Sequence, residues 1–431
     1  MKSFVKACSD LLRSDYSPHE YHKIILPFLC GDEDIIKNEV IKRTLNDLII
    51  MYDIDLSNLG DLFECFLTYF AETTTAEFYT PEDIRKLTID LVNIDNPKSI
   101  YDPTCGTGGF LSTAKHKYKN AKLFGQEINP DTTNIALMYL GDNIKCGNTL
   151  TEDKFTDNKF DLILSNPPFG LDWKKYEKKV KEDIRFQVGY PRTSDGSMLF
   201  LLHCISKLSD DGKLGIVLNA SPLFTGDAGS GESEIRRWII ENDLLESIIA
   251  LPDQLFYNTG ISTYIWILSN RKPDLRKGKI RLVNGVSYFE KMRKSLGNKR
   301  NVISDKNRED IVKLYSMIEP HEDYIEFDNK DFGYHKITIN SKTNGKDTER
   351  VPLKEDIKEY FTREVLPHVP DAQIDEKKTK VGYEIPFTRY FYKFTPLRNS
   401  EDILAEIKEL QNKISQEFFS VDEVGVFYEL F

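Results

Sequence analysis

The chain has 431 residues, 40% of them hydrophobic, which suffices for a large core and more than one domain. Its 69 acidic against 58 basic residues give a formal net charge of -11, which argues against a self-sufficient nucleic-acid binder, because such proteins neutralise phosphates with a basic surface. No apolar run is long enough to span a bilayer, the start Met1-Lys2-Ser3-Phe4 lacks a secretory apolar stretch, and the six scattered cysteines suggest neither a disulfide framework nor a zinc site, so a reducing cytoplasm is the expected location.

The first seventy or so residues predict helices, with Leu59, Leu62, Phe63, Phe66 and Phe70 at helical spacing on one apolar face. Glu77-Phe78-Tyr79-Thr80-Pro81-Glu82-Asp83 then reads as a helix start. Thr80 is its N-cap, Pro81 its first helical residue, Asp83 the return partner of a capping box, and Ile84, Leu87 and Leu91 form the apolar stripe. Phe78 and Tyr79 equally suit the wall of a ligand pocket.

From Ser99 to Ser269 strands and helices alternate. Strands are expected near Ile100, Leu123, Leu162, Gly215, Ile248 and Ile265, with helices such as Ser197 to Leu208 and Glu234 to Asn242 between them. Such alternation predicts a parallel, doubly wound α/β sheet, whose ligands bind at the carboxyl ends of the strands. At the first such end, Pro103-Thr104-Cys105-Gly106-Thr107-Gly108-Gly109 forms a tight loop before the helix from Phe110, and its glycines let backbone approach a ligand. After the next strand comes Glu127, roughly 20 residues on, a separation at which an acidic residue reaches ribose hydroxyls. The loop carries neither a Gly-Lys-Ser/Thr phosphate cradle nor a regular G-x-G-x-x-G. A nucleoside without phosphates suits it better than a nicotinamide dinucleotide, which stays open.

The strand Phe160-Asp161-Leu162-Ile163-Leu164 runs into Ser165-Asn166-Pro167-Pro168-Phe169-Gly170. An exocyclic amine is a weak nucleophile because its lone pair is delocalised into the ring, so a catalyst must accept its N–H bonds. The Asn166 side-chain oxygen and the Pro167 carbonyl are two such acceptors. Pro167 and Pro168 fix the backbone and remove competing donors, and Phe169 offers a face for an extruded base. The same residues would also serve as an ordinary turn after a strand.

Beyond this, Gly170 to Ser194 and Thr225 to Ser233, with Gly226, Gly229 and Gly231, predict flexible segments beside the site, either of which could close over a substrate. Basic residues cluster at Lys174, Lys175, Lys178 and Lys179, and again from Arg271 to Arg300 at Lys272, Arg276, Lys277, Lys279, Arg281, Lys291, Arg293, Lys294 and Lys299. They suit a solvated face or a phosphate contact. Asn340 to Arg350 has no strongly apolar pattern and reads as a loop around Asn344-Gly345. Ser400 to Phe419 places Ile403, Ile407, Leu410, Ile414 and Phe418 on one stripe of an amphipathic helix.

The succession Phe-Tyr-Thr-Pro (78–81), Asp-Pro-Thr-Cys-Gly-Thr-Gly-Gly-Phe (102–110), Gln-Glu-Ile-Asn (126–129), Gly-Asn-Thr-Leu (147–150) and Asn-Pro-Pro-Phe (166–169) resembles the modification subunit of type I restriction-modification systems, an N6-adenine DNA methyltransferase. The likeness continues through Leu59-Gly60-Asp61, Asp195-Gly196, Ile235-Arg236, Leu251-Pro252, Leu255 to Ile261, Phe332-Gly333-Tyr334 and Gly382-Tyr383-Glu384-Ile385. Two departures stand out: a shorter N-terminal helical region, and Gln373 where the family often has Trp. The resemblance implies a Rossmann-like class I S-adenosylmethionine-dependent methyltransferase domain (76–335) between an N-terminal helical domain (1–75) and a C-terminal extension (336–431) ending in an assembly helix. It implies that S-adenosylmethionine is the cofactor, held by Glu77, Phe78, Tyr79, Thr80, Pro81, Glu82, Asp102, Thr104, Gly106, Thr107, Gly108, Gly109, Glu127, Ile128, Asn148 and Thr149. Asn166, Pro167, Pro168 and Phe169 would hold a flipped adenine, with no metal. The implied partners are DNA, a specificity subunit, a second copy of this chain and a restriction subunit. A methyltransferase acting on RNA or protein amides, or a catalytically silent scaffold, are the competing readings.

Overall fold

The computed structural model describes all residues except 18–19, 57–61, 63–64, 67–68, 70–78, 344, 393–398 and 422–431, and the side chains of 2, 22 and 417–421 also lie outside the description. By internal contacts the chain divides into a unit Met1–Phe387 and a unit Thr388–Phe431.

The first unit begins with helices Lys2–Leu12, Tyr21–Leu29 and Glu39–Met51. Their apolar faces bury Phe4, Val5, Leu12, Ile25, Leu26 and Leu45 in one cluster, which Leu62 and Phe66 of the expected stripe join. Leu59, Phe63 and Phe70 of that stripe fall outside the described residues.

A nine-stranded sheet forms the centre, in the order β11-β8-β6-β7-β5-β4-β1-β2-β3. Its strands are β1 (Ser99–Asp102), β2 (Lys122–Glu127), β3 (Ile144–Cys146), β4 (Phe160–Ser165), β5 (Leu208–Asn219), β6 (Leu245–Ala250), β7 (Thr263–Ser269), β8 (Lys279–Asn284) and β11 (Tyr324–Asp328). Neighbours β3, β2, β1, β4 and β5 run parallel, whereas β7 is antiparallel to both β5 and β6. Strands β6 and β7 are buried along their whole length, as strands covered on both faces must be. The Asp161 carboxylate accepts from Lys98 N at 2.7 Å and Ser99 N at 3.2 Å, tying the start of β4 to the start of β1. Chain order reverses between these two strands, so their carboxyl ends flank the crevice where open α/β sheets bind ligands.

Strands β9 (Glu290–Leu296) and β10 (Lys299–Val302) make a separate hairpin. A further small sheet contains β12 (Gly333–Ser341), β13 (Gly345–Pro352), β14 (Gln373–Ile374) and β15 (Lys380–Tyr383). Here the expected loop Asn340 to Arg350 is corrected: β12 and β13 pair from Tyr334↔Pro352 to Ser341↔Gly345. The outer strand is exposed over most of its length, so it lacks the alternation that betrays a half-buried strand. Its partner supplies the burial through Ile337 and Ile339, packed with Val351, Phe361 and Val365. Arg236 joins this sheet to the larger one, donating from Nε to the Tyr383 carbonyl at 2.7 Å and from Nη1 to the Pro222 carbonyl at 3.1 Å.

Gly170 to Ser194, expected to be flexible, is instead packed around buried Trp173, Val180 and Phe186 and contains the helix Glu177–Glu182. Trp173 donates through its indole N–H to the Arg192 carbonyl at 3.0 Å, closing the excursion on itself. In the second unit, the helix Ser400–Val421 carries Ile403, Ile407, Leu410 and Ile414 as exposed side chains on one stripe. No helix among the described residues is long and apolar enough to cross a membrane.

Candidate active site

A cleft of about 310 Å³ opens at the carboxyl ends of β1, β2 and β4, lined by Thr104, Gly106, Glu127, Asn148, Asn166 and Pro168 among others. Both expected motif loops meet there. Tyr79, Thr107, Ile128 and Thr149 also line it, and Ile128 is 56% exposed, an apolar flank for a flat ring.

The loop after β1 is held by its own backbone. Thr104 N donates to Asp102 Oδ1 at 3.0 Å, Cys105 N to the Gln126 carbonyl at 3.0 Å, and Gly108 N to the Cys105 carbonyl at 2.7 Å. Gly108 has φ +87° and leads the helix Gly109–Lys117, and a Cβ there would collide with Leu140 Cδ1. Gly106, at φ +55°, has open space where its Cβ would be. Asp102 lies beneath the loop and is buried, which pushes its carboxyl up to about 8 despite the Thr104 N–H that favours the anion. Cys105 is likewise buried and its thiol is pushed well above the usual range, chiefly by desolvation, so it is no nucleophile.

Glu127 ends β2 with each carboxylate oxygen taking one backbone N–H: Oε2 from Gly106 at 3.0 Å and Oε1 from Asn129 at 2.8 Å. Asn129 itself caps the helix Pro130–Leu140 through its side chain. Asn148 accepts from Leu150 N at 3.0 Å, and Thr149 donates from Oγ1 to the Pro103 carbonyl at 2.5 Å, binding the loop after β3 to the loop after β1.

At the end of β4, Asn166 donates from Nδ2 to Thr80 Oγ1 at 2.9 Å. Its Oδ1 is buried with no hydrogen-bond partner among the described residues. A buried acceptor without a donor costs stability, and Asn166 lines the cleft, so a donor brought by a ligand would relieve that cost. Pro167 is buried and Pro168 faces the cleft. Phe169 is half-buried and packs edge-on against Phe256, with ring centroids 5.8 Å apart at 84°.

The helix start before β1 differs from its expected form. Pro81, not Thr80, occupies the N-cap position of the helix Glu82–Val92, without a side-chain cap hydrogen bond. Thr80 instead meets Asn166, and Asp83 bonds Lys299 Nζ at 2.8 Å and Ile303 N at 3.0 Å. Distant partners outcompete the local capping box. Glu82 forms an ion pair with Lys86 and lines a different groove with Lys117 and Lys294. Glu77 and Phe78 lie outside the described residues.

The basic stretch also changes meaning. Lys272, Arg281 and Lys299 are buried, paired with Asp243, Glu326 and Asp83, so they hold the fold together and are not offered to phosphate. Lys174, Lys175, Lys178 and Lys179 are exposed, within the excursion that follows the Asn166 turn.

Cleft residues that the sequence reading did not assign to the cofactor or the base are Pro103 and Asn129, which lie inside quoted motifs, and Thr132, Leu171, Tyr176 and Phe200. Asn129-Pro130 was legible as a helix cap, whereas Leu171 and Tyr176 sit in the excursion read as a loop. Arg185 stitches that excursion to the loop after β3, donating to the Thr149 carbonyl at 3.0 Å, and to His203 Nδ1 at 2.6 Å. Because a guanidinium only donates, Nδ1 must accept and the imidazole is neutral; burial, followed by the Arg185 charge, pushes its pKa well down.

The family model described as N-6 DNA Methylase matches residues 54–337. The chain is 32% identical over 286 residues to the type I restriction enzyme MjaIX methylase subunit of Methanocaldococcus jannaschii, over 61% of this chain and 50% of that protein. It is 30% identical over 275 residues to the type I restriction enzyme HindI methylase subunit of Haemophilus influenzae, over 59% of each. The chain thus spans about half, or slightly more, of the length of the curated relatives it matches. Among solved structures, a type I restriction-modification system methyltransferase subunit from Streptococcus thermophilus superposes with a TM-score of 0.61 at 24% identity, covering 77% of each chain. A class I S-adenosylmethionine-dependent methyltransferase described as putative, from Listeria monocytogenes, gives 0.53 at 18% identity, covering 66% of this chain and 91% of that one. The fold is therefore that of class I methyltransferases, with additional helical elements before and after the sheet.

Proposed function

Because the chain belongs to the N-6 DNA methylase family, we propose that it transfers a methyl group from S-adenosylmethionine to N6 of an adenine in DNA, as the modification subunit of a type I restriction-modification complex. The observation that carries this reading is the buried Asn166 Oδ1 at the end of β4, which has no partner among the described residues, on a residue that lines a cleft with a carboxylate on the neighbouring side.

The residues present fit the cofactor. Glu127 places a carboxylate on the cleft at the position where a ribose would bind, Gly106 leaves open space beside it, and among the described residues no lysine lines it to demand a phosphate. Thr104, Thr107, Asn148 and exposed Ile128 complete the proposed cofactor side, with Tyr79 closing it. When bound, S-adenosylmethionine supplies an electrophilic methyl group on a sulfonium.

The work left to the chain is positioning, which in well-oriented reactions supplies a large share of rate enhancement. Extruding an adenine from the duplex costs roughly a few kcal/mol. Asn166 Oδ1 accepts one N–H of the amine and the Pro167 carbonyl accepts the other, so the nitrogen lone pair leaves conjugation and turns toward the methyl. Phe169, braced by Phe256, offers its open face to the base.

The acidic net charge supports a division of labour in which other chains contribute much of the DNA surface. In this reading a specificity subunit selects the sequence, a second copy of this chain joins the complex, and a restriction subunit can associate. The apolar stripe of helix Ser400–Val421 supports a docking role for it.

The test is transfer of labelled methyl groups from S-adenosylmethionine to adenine in genomic DNA lacking the modification, with this chain alone and with a specificity subunit. Transfer that appears only with the partner supports the full reading, and transfer by the chain alone supports the chemistry without the assembly. No transfer in either case, with cofactor bound, overturns it.

A further inference from the structure

We propose that Thr80 is a positioning residue for the Asn166 amide, setting which end of that amide meets the target amine; this deepens the methyltransferase reading and rests on it. The geometry is specific. Thr80 and Asn166 stand 86 residues apart, and Thr80 Oγ1 takes the Asn166 Nδ2 donor at 2.9 Å. The other end of the amide, Oδ1, is buried and has no partner among the described residues. An amide has two faces of nearly equal shape, one accepting and one donating. If it turned over, an NH₂ group would face the NH₂ group of the substrate, donor against donor. Asn166 therefore needs something that prefers its nitrogen on the side away from the substrate.

Among the described residues, the hydroxyl that takes the nitrogen end of this amide is that of Thr80. The neighbouring residues on the turn, Pro167 and Pro168, have no N–H to engage the amide from their side. Thr80 precedes Pro81 at the N-cap of the helix Glu82–Val92 and is free of the capping duty its sequence suggests, since that helix has no side-chain cap hydrogen bond. The helix is in turn anchored by Asp83 to Lys299 and to Ile303 N, so the Thr80 hydroxyl is carried on a fixed element. In this arrangement the Thr80 oxygen accepts from Asn166 Nδ2 throughout the reaction, and no covalent or proton-transfer step passes through it.

The expected consequence separates from cofactor binding. Thr80→Val keeps the shape and removes the acceptor, while Thr80→Ser keeps the hydroxyl. Under the conditions in which the unsubstituted full chain transfers methyl groups to DNA, Thr80→Val should lower kcat about tenfold or more, the scale of losing a buried hydrogen bond. Its dissociation constant for S-adenosylmethionine, by calorimetry, should stay within about twofold, and Thr80→Ser should recover most of the rate. In an Asn166→Ala background, Thr80→Val should cost nothing further, a non-additivity that a general packing defect would not give.

Full activity in Thr80→Val overturns the proposal. So does weakened cofactor binding with normal kcat at saturation, which would make Thr80 a cofactor ligand. Should the valine variant fail to fold by thermal melting, Thr80→Ala replaces it in the same cycle, with the same two overturning results. Asn166→Ala guards the premise: if that variant transfers methyl groups normally, the site reading itself falls, whereas an inactive Asn166→Ala beside a fully active Thr80→Val condemns the Thr80 role alone.

Discussion

Lys299 Nζ lies 2.8 Å from Asp83 Oδ2 across 216 residues of chain, and both side chains are almost wholly buried. Burial pulls the Lys299 ammonium below its usual pKa, the Asp83 charge opposes that, and the Leu255 carbonyl takes a further hydrogen bond at 3.0 Å. The pair anchors the start of the helix that follows Thr80 to the β10 edge, next to the Asn166 turn. Removing one partner leaves an uncompensated charge. Asp83→Ala should destabilise by about 3–5 kcal/mol, whereas Asp83→Leu with Lys299→Met should cost less than the single change. Denaturant unfolding of both variants checks this, and equal losses would mean that the pair is hydrated.

In the proposed function, Asn166→Ala removes the acceptor for the substrate amine and leaves Glu127 and the glycine loop in place. We expect a loss of kcat by about a hundredfold or more, the scale seen when a positioned hydrogen-bonding group is taken from a reacting centre. Cofactor affinity should hardly move. Normal turnover would exclude Asn166 from the chemistry.

Glu127 addresses the other half of the site. Its carboxylate orders the cleft through Gly106 N and Asn129 N, and the proposed function makes it the ribose ligand. Glu127→Ala should weaken S-adenosylmethionine binding by roughly ten- to a hundredfold, as expected for hydrogen bonds to a charged group. Glu127→Gln should recover part of the loop order but lose a hydroxyl acceptor. Unchanged calorimetric affinity in the alanine variant would reject the assignment.

Most of the sheet was legible because its central strands are continuous apolar runs, and Ile100, Leu123, Leu162, Gly215, Ile248 and Ile265 each fall in an observed strand. Strand β3, Ile144–Cys146, was not, since three residues carry no period. Strand β8 hid inside a basic stretch, where Arg281 is buried through carbonyls and Glu326. The glycine loop, Glu127 and Asn166 were legible because each motif is local. Thr80 was misread for the same reason: a capping box explains Ser/Thr-x-x-Asp completely at short range, and only the fold brings Asn166 and Lys299 to those two side chains. Trp173 gave no warning either, because a single apolar residue among lysines shows nothing of what it packs against.

Asp102 gives the pH dependence its sign. Burial raises its carboxyl in the folded protein from 3.8 to about 8, with the Glu127 charge adding to the shift and the Thr104 N–H opposing it. The folded state thus holds a proton that the unfolded chain releases. This contribution to stability is fully present below about pH 4 and is lost as pH rises to about 8, with a slope of up to about 1.4 kcal/mol per unit. Asp102→Asn is neutral at every pH and can still accept from Thr104 N, so it should flatten the decline between pH 5 and 8 and exceed the unsubstituted protein in stability at pH 8. Thermal melting of both proteins across that range reads the difference. Parallel curves would mean that Asp102 ionises in the fold as freely as in the unfolded chain, and that the floor of the loop after β1 carries a charge.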